Sequence, residues 1–305
     1  MTSRREGSSH IPETGETMRG IILAGGSGTR LRPITAVSSK QLLPVYDKPM
    51  IYYPLSVLLL AGIREILVIS NPEHLDAYRR LLGDGRQLGL ELAYAEQDRP
   101  RGLADALRVG REFVGEEPLA LILGDNIFYG HALTEVLRTE RERLDGCTLF
   151  GYSVADPERY GVAGVDDTGR ITSLEEKPTE PVSNLAVTGL YFYDNEALDM
   201  AAGLTPSARG ELEITDLNNL FVEQGRARMV TLGRGNAWFD TGTHESLLDA
   251  ALFVRVLAKR QGVRLACIEE VAYHMGFIDA EQLGVLGKEC GASSYGRYLR
   301  ELAGV

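Results

Sequence analysis

Three glycines follow a short apolar run near the start of the chain. Gly25, Gly26 and Gly28 come directly after residues 21–24, so a buried strand is predicted to end in a loop with almost no side chains. Such a loop can wrap closely around an anion, because its successive N–H groups form a concave site for phosphate oxygens. Arg30 and Lys40 follow and can supply positive charge. The stretch favours a phosphate-binding loop, with an ordinary ligand-free loop as the alternative at this point.

Neither of two familiar phosphate loops fits this stretch. The P-loop pattern G-x-x-x-x-G-K-[ST] is absent, and Leu31 stands where the dinucleotide pattern G-x-G-x-x-G needs its third glycine. The surrounding charge still indicates an anionic ligand. Between residues 19 and 48 there are five basic residues and one acidic residue, in a chain whose net charge is −11. A positive island on an acidic protein favours a small, focused anion, and nucleic acid is not expected as a partner.

Two aspartates stand where a metal ion could join that anion. Asp125 follows the apolar run 119–123 through Gly124, and Asp240 follows another short apolar stretch. Ligands gather outside the carboxyl ends of parallel strands, so Asp125 is predicted at the same edge as the glycine loop. Mg²⁺ binds one or two carboxylates together with phosphate oxygens. Each aspartate could instead cap a helix or a turn.

The tetrapeptide 175–178 offers a second polar group. Lys177 could hold another phosphate, and Glu176 could accept hydrogen bonds from sugar hydroxyls. A solvated hairpin exit is the alternative reading. No G-x-S-x-G sequence occurs, so a nucleophile elbow is not indicated.

Composition indicates a soluble globular protein in a reducing cytoplasm. The 305 residues are 44% hydrophobic and 25% charged, and the longest purely apolar run, 57–61, is far too short to cross a membrane. The three cysteines are scattered and form no C-x-x-C pair, and the five histidines form no metal motif. Residues 1–17 are polar and lack the apolar core of a secretory signal, so we expect a disordered arm there.

Short apolar runs that alternate with helical patterns predict a Rossmann-like α/β fold, with a mainly parallel sheet flanked by helices. The predicted strands are 20–24, 65–70, 91–95, 118–123, 187–193 and 227–232, and a β-hairpin is predicted at 162–165 and 171–174. The predicted helices are 49–61, 72–82, 102–114, 131–144, 215–224 and 244–261, followed by a small helical subdomain. The expected organisation is an arm at 1–17, an α/β domain at 18–250 and a C-terminal helical subdomain at 251–305.

Eight blocks of sequence then resemble the glucose-1-phosphate thymidylyltransferases, a family of sugar nucleotidyltransferases. The blocks lie in the family's order at 20–31, 39–56, 123–126, 156–162, 173–178, 187–194, 210–216 and 237–243. The resemblance implies the fold of the nucleotide-diphospho-sugar transferases. It also implies Mg²⁺-dependent transfer of a thymidylyl group from dTTP to glucose 1-phosphate, as the first step towards dTDP-rhamnose or another deoxysugar.

The resemblance also implies roles for matching residues. The expected catalytic residues are Arg30, Lys40, Asp125, Lys177 and Asp240, with Asp125 and Asp240 holding Mg²⁺. The expected nucleotide-binding residues are Leu23, Gly25, Gly26, Ser27, Gly28, Thr29, Arg30, Lys40, Gln97 and Gly102, the last two facing the base. The expected sugar-binding residues are Asn126, Tyr160, Gly161, Glu176, Lys177, Thr188, Gly189 and Trp238.

Two departures from the family pattern and several alternatives accompany these expectations. Asp105 stands where glutamine is expected, and Asn236 where tyrosine is expected. A homotetramer with a regulatory nucleotide site at a subunit interface is implied, and segment 251–305 could help to build it. The same features would suit UTP or another sugar 1-phosphate. A non-catalytic regulatory protein should have lost Lys40, Asp125, Lys177 or Asp240, and all four are present.

Overall fold

The computed structural model describes residues 17–305, and the predicted arm at 1–17 lies outside them except for its last residue. The strands are β1 (Arg19–Leu23), β2 (Pro44–Val45), β3 (Lys48–Pro49), β4 (Glu65–Ser70), β5 (Glu91–Glu96), β6 (Leu119–Leu123), β7 (Asn126–Gly130), β8 (Cys147–Ser153), β9 (Gly161–Val165), β10 (Ile171–Glu176), β11 (Leu185–Tyr193), β12 (Ala227–Leu232) and β13 (Asn236–Asp240). The helices are α1 (Tyr52–Leu60), α2 (Pro72–Leu82), α3 (Asp105–Val114), α4 (Leu133–Glu142), α5 (Glu196–Gly203), α6 (Ile214–Glu223), α7 (His244–Gln261), α8 (Ile268–His274), α9 (Ala280–Glu289) and α10 (Ser294–Ala303).

A large mixed sheet forms the centre of the molecule. Its strand order is β10-β9-β11-β6-β1-β4-β5, and β8 pairs with both β11 and β12. Strands β6, β1, β4 and β5 are parallel to one another. Strand β11 runs antiparallel to its neighbours β6, β8 and β9. The predicted α/β class is confirmed, and the antiparallel strands belong to the half of the sheet that contains the predicted hairpin.

The parallel strands form where the sequence has continuous apolar runs. Strand β1 is buried from Gly20 to Leu23, and β4 is buried from Ile66 to Ser70. A strand that is covered by helices on both faces needs apolar side chains at every position, and this explains why these runs show no alternation. Helix α2 begins at Pro72, where a proline costs no internal hydrogen bond, and its predicted bounds are confirmed.

Helix α7 also matches its predicted bounds. The Thr243 hydroxyl accepts a hydrogen bond from the Ser246 N–H at 3.2 Å, and the Ser246 hydroxyl accepts one from the Thr243 N–H at 3.1 Å. This reciprocal capping box satisfies two backbone donors at the start of the helix. The helix ends at Gly262, whose φ of +71° suits glycine. Since α7 runs through residue 250, the expected division of the chain at that point stays a prediction.

A second, two-stranded sheet was not predicted. Strands β7 and β13 pair antiparallel, with Asn126 opposite Asp240 and Phe128 opposite Trp238. The pair joins residues more than a hundred positions apart in the chain, which no local pattern reveals. Helices α8, α9 and α10 follow as the predicted C-terminal group. In the described part of the chain, every helix is too short or too polar to cross a bilayer.

Candidate active site

The carboxyl ends of the four parallel strands bring polar groups to one edge of the sheet. The glycine loop follows β1, Asn71 follows β4, Gln97 follows β5, and Asp125 follows β6 after Gly124. Because the strands are parallel and adjacent, these residues lie at a common edge of the sheet, and the space above this edge is called the cleft below. The predicted convergence of the glycine loop and Asp125 is therefore observed.

The glycine loop is shaped by conformations that other residues rarely adopt. Gly26 has a φ of +104° and Gly28 a φ of +56°. Asn71 secures the loop, since its side chain accepts a hydrogen bond from the Gly26 N–H and donates one to the Gly26 carbonyl, both at 3.3 Å. The Thr35 hydroxyl donates to the Gly28 carbonyl at 2.7 Å. Asn71 was predicted only as a helix cap before Pro72, but its side chain makes no capping hydrogen bond and contacts the loop instead, and the contact of Thr35 was not predicted.

The loop leaves donors free for a ligand. In the described chain, the backbone N–H groups of Ser27 and Gly28 have no protein acceptor, and Ser27, Thr29 and Arg30 are exposed. Leu23 ends β1 beneath the loop and is 8% exposed. The loop therefore offers free backbone donors at its surface, which a phosphate group can use.

Lys40 and Asp125 form an ion pair at the centre of the cleft. The Lys40 Nζ donates to Asp125 Oδ2, and only 13% and 17% of the two side chains are exposed. Burial tends to raise the pKa of Asp125, but the positive charge of Lys40 and the hydrogen bonds from Lys40 and Asn126 hold it below its usual value. Asp125 is therefore a charged carboxylate at neutral pH. The Thr241 hydroxyl and N–H fix its backbone by donating to the Asp125 carbonyl at 2.7 and 3.1 Å.

Asp240 lies beside this pair because β13 pairs with β7. Burial and the negative charge of Asp125 raise the pKa of Asp240, against the attraction of Lys40 and Arg30. A Cβ atom added to Gly242 would lie 3.2 Å from Asp240 Oδ1 and 3.4 Å from Arg30 Nη1, so the arginine lies close to this carboxylate. The two aspartates thus repel each other in a partly buried site.

The donor set fits a hard divalent cation such as Mg²⁺. Both candidate ligands are carboxylates, which Mg²⁺ prefers, and a cation between them would relieve their repulsion. Within residues 17–305, no group of three or more histidine, cysteine, aspartate or glutamate side chains could form a metal site by itself. Two carboxylates leave the remaining ligand positions for water and substrate phosphates, as is usual for Mg²⁺ at phosphate-transfer sites.

Asn126 connects Asp125 to two of the candidate sugar-binding residues, Gly189 and Trp238. Its Oδ1 accepts from Trp238 Nε1 at 2.6 Å and from the Gly189 N–H at 3.0 Å, while its Nδ2 donates to Asp125 Oδ1 at 3.0 Å. Asn126 is only 2% exposed. Its geometry is that of a residue that positions three others, and its role in contacting a sugar directly stays a prediction.

We expect Asn126→Ala to lower the free energy of unfolding by about 2 kcal/mol or more, because two buried N–H groups would lose their acceptor. Urea unfolding followed by circular dichroism measures this loss. The control is Asn184→Ala, at an exposed position without a side-chain hydrogen bond in the described structure, which should change stability by less than about 0.5 kcal/mol. Equal stability of the two variants would contradict the positioning role of Asn126.

The sugar-side candidates line a second wall of the cleft. Gly161 lies opposite Glu176 in the β9–β10 pair, and a Cβ atom on Gly161 would lie 3.3 Å from Glu176 Oε2. Glu176 accepts from the Thr215 hydroxyl at 2.8 Å, and its other oxygen lies 3.3 Å from Lys177 Nζ. Lys177 is exposed and has a φ of +46°, a strained conformation for a residue with a side chain. Strain of this kind is common at binding sites.

Two aromatic rings belong to the same wall of sugar-side candidates. The rings of Tyr160 and Trp238 meet edge to face with centroids 5.1 Å apart, and Trp238 is 9% exposed. Thr188 is fully buried and its hydroxyl donates to the Phe150 carbonyl at 2.8 Å, so a direct contact between Thr188 and a ligand stays a prediction. Gly189 has no room for a side chain, since a Cβ atom there would lie 2.7 Å from Asn126 Oδ1.

Two arginines near the cleft were not identified from the sequence. Arg159 is near enough to Asp240 to act on it electrostatically, lowering its pKa, and Arg209 Nη2 lies 3.9 Å from Glu176 Oε1. Both are exposed. They lie in or beside two of the matching sequence blocks, 156–162 and 210–216, but arginines in loops carry no periodic signal.

The base-side candidates lie on the opposite flank. Gln97 is 4% exposed, and its Oε1 would lie 3.3 Å from a Cβ atom on Gly25. Gly102 has a φ of +105°, and a Cβ atom there would lie 2.3 Å from the Leu212 carbonyl oxygen. Close packing against this backbone requires glycine at position 102 whether or not a base lies nearby.

Comparisons with known proteins identify the family of this chain. The family model for nucleotidyl transferases matches residues 19–256. A glucose-1-phosphate thymidylyltransferase of Xanthomonas campestris is 58% identical over 285 residues, covering 93% of this chain and 97% of the relative. A crystal structure of a Bacillus anthracis protein in complex with sucrose is 42% identical and has a TM-score of 0.72, covering 78% of this chain and 95% of the other. A UDP-glucose pyrophosphorylase complexed with UDP-glucose is 25% identical, with a TM-score of 0.69, and covers 80% of this chain and 99% of the other.

Proposed function

The chain belongs to the nucleotidyl transferase family, among the glucose-1-phosphate thymidylyltransferases, and from this premise we propose that it transfers a thymidylyl group from dTTP to glucose 1-phosphate, releasing pyrophosphate. The observation that carries the proposal is the cluster of Lys40, Asp125 and Asp240 beside the glycine loop. This cluster combines a cation, a carboxylate pair for Mg²⁺ and backbone donors for phosphates.

The triphosphate is proposed to lie across the glycine loop. The free N–H groups of Ser27 and Gly28 would donate to phosphate oxygens, and Arg30 would add a charged fork. Lys40 would hold the α-phosphate from the floor of the cleft. The residues that would contact the nucleotide are Leu23, Gly25, Gly26, Ser27, Gly28, Thr29, Arg30, Lys40, Gln97 and Gly102.

Glucose 1-phosphate is proposed to lie against the opposite wall. Glu176 would accept hydrogen bonds from sugar hydroxyls, and the backbone at Gly161, Thr188 and Gly189 would approach the ring closely. Lys177 would bind the phosphate of the sugar with its exposed ammonium group, which lies 3.3 Å from Glu176 Oε1. Tyr160 would border the sugar and, through its ring contact, link it to Trp238.

The reaction follows from the charges. A phosphate oxygen of glucose 1-phosphate attacks the α-phosphorus of dTTP, the bond to the bridging oxygen breaks, and pyrophosphate departs with that electron pair. The nucleophile is already an anion because the second pKa of a phosphomonoester is about 6, so no general base is needed. The protein must bring two anions together and stabilise the charge of the transition state. When bound by Asp125 and Asp240, Mg²⁺ would supply part of that positive charge.

The finer biological setting is also proposed from the family. The product would feed dTDP-rhamnose or another deoxysugar, and the enzyme would act in the cytoplasm as a regulated homotetramer. Leu248, Leu252 and Val256 support self-association, because they form a stripe at helical spacing on α7 and are 59%, 46% and 53% exposed. A second copy is the simplest cover for such an apolar stripe, and this would assign segment 251–305 to an interface.

Uridylyl transfer is the second candidate function. It is favoured by the similarity to a solved UDP-glucose pyrophosphorylase, whose fold aligns over most of this chain. The same glycine loop and carboxylate pair would serve UTP. Identity is much higher to the thymidylyltransferase of Xanthomonas campestris, and this favours dTTP.

We expect the purified protein to release pyrophosphate from dTTP only when glucose 1-phosphate and Mg²⁺ are both present, and to stop when the metal is chelated. Trp238 is the only tryptophan in the chain and lies in the proposed sugar wall, so its fluorescence reports binding without a label. Faster release from UTP would establish the second candidate. A fluorescence change without release from any nucleotide would contradict the proposed activity and favour a regulatory protein.

A further inference from the structure

Asp105 and Gln97 form a pair in the interior beside the glycine loop. Gln97 directly follows β5, and Asp105 is the first residue of α3. The Gln97 Nε2 donates to Asp105 Oδ2 at 2.8 Å, and each residue is 4% exposed. Two buried polar side chains thus satisfy each other, as burial requires.

The pairing fixes the direction of the Gln97 amide. A carboxylate can only accept hydrogen bonds. The NH₂ group of Gln97 must therefore face Asp105, and its Oε1 must point away. This oxygen accepts no hydrogen bond in the described structure. Among the described residues, Arg19 Nε is the only fully buried side-chain nitrogen or oxygen without a hydrogen-bond partner. The Gln97 Oε1 atom is therefore not completely buried.

The unpaired Oε1 of Gln97 lies on the side of the glycine loop. Gln97 Oε1 would lie 3.3 Å from a Cβ atom on Gly25, so it borders the glycine loop. The proposed sugar wall lies beyond β6 in the sheet, whereas Gln97 lies beyond β1 and β4 in the other direction. A nucleotide held by its phosphates on the loop can therefore place its base at Gln97 without meeting the sugar.

We propose that Asp105 is a positioning residue for base selection, which locks Gln97 with its acceptor towards the base. A pyrimidine with a ring N–H at position 3, as in thymine and uracil, donates to that acceptor. Cytosine has an unprotonated ring nitrogen there, so two acceptors would face each other without a proton between them. The inference rests on the proposed function, since it concerns the nucleotide of the same reaction.

The wild-type enzyme provides the first test. We expect kcat/KM for dTTP to exceed the values for dCTP and for the triphosphate of 3-methylthymidine by at least about 100-fold, as for a site that must leave a buried polar group unpaired. The methyl group removes only the ring N–H. Comparable use of dTTP and its 3-methyl analogue would overturn the proposal, whatever the behaviour of any variant.

Asp105→Asn provides the second test, because an amide can donate as well as accept and so frees Gln97 to turn. We expect the preference for dTTP over dCTP to fall about tenfold, the size of one misplaced hydrogen bond, with KM for dTTP changing more than kcat. The matched control is Asp199→Asn. Asp199, on α5, is an exposed carboxylate that pairs at 2.5 Å with Arg111 of α3, the helix that begins at Asp105, and its loss should leave the preference unchanged.

A double substitution tests whether the effect of Asp105→Asn on nucleotide preference depends on Gln97. In a Gln97→Ala background, Asp105→Asn should no longer change the nucleotide preference, because no amide is left to turn. The proposal is overturned if the change persists in that background, or if Asp105→Asn slows both nucleotides equally. If the wild type releases no pyrophosphate, the proposed function fails instead. Binding of dTTP, its 3-methyl analogue and dCTP, followed by Trp238 fluorescence, would then still decide the role of Asp105.

Discussion

Replacing Lys40 with alanine is expected to lower kcat by at least about 100-fold, the usual loss for one major electrostatic contact in a transition state. The ammonium group lies in the cleft with 13% of the side chain exposed, so water would only partly replace its charge. It also neutralises Asp125, which would otherwise add to the repulsion between two anionic substrates. Pyrophosphate release at saturating dTTP and glucose 1-phosphate measures the effect.

The loss of Lys40 should also change the dependence on pH. Lys40 holds the pKa of Asp125 low against the effect of burial, so in the variant this pKa should rise. Protonation would then remove the carboxylate at a higher pH than in the wild type, and the acid limb of the rate profile should move upwards. Lys259→Ala, at an exposed position on α7, is the matched control and should leave both readouts unchanged. A Lys40→Ala enzyme with kcat within about threefold of the wild type would refute the role of the lysine.

Local patterns determined which parts of the fold could be predicted. The bounds of α2 and α7 follow from proline and threonine at their starts and from helical periodicity, all of which lie within a few residues. Strand β4 was predicted from an unbroken apolar run. The convergence of the glycine loop with Asp125 was predictable in the same way, since the carboxyl ends of parallel strands share one edge.

Contacts between distant segments were not predictable from such patterns. The β7–β13 pair consists of two strands that were not predicted, and it brings Trp238 onto Asn126. Asp105 was noticed only as a departure from the family, because nothing in its local sequence reveals the hydrogen bond to Gln97. Arg159 and Arg209 were missed for the same physical reason, since single charges in loops show no periodicity.

Asp240→Asn should lower kcat by at least about 100-fold, because it removes one of two carboxylates that would hold Mg²⁺. The same change should make the metal-free protein more stable. Burial and the charge of Asp125 raise the pKa of Asp240, so the folded state resists its ionisation. At pH 7 the ionised group therefore reduces the free energy of unfolding. This penalty shrinks as the pH falls through the raised pKa and is gone below the ordinary pKa of an aspartate.

Urea unfolding without Mg²⁺ should accordingly show that Asp240→Asn is more stable than the wild type at pH 7, with a smaller difference at lower pH. Added Mg²⁺ and nucleotide should stabilise the wild type more than the variant, because ligands stabilise the state that binds them. Asp249→Asn, an exposed carboxylate on α7, controls for the loss of one negative charge and should show neither effect. A variant that is inactive and also less stable than the wild type would mean that Asp240 supports the fold. Lower activity together with higher stability is what a cation site requires, because the repulsion between the two carboxylates destabilises the metal-free protein and also attracts the metal.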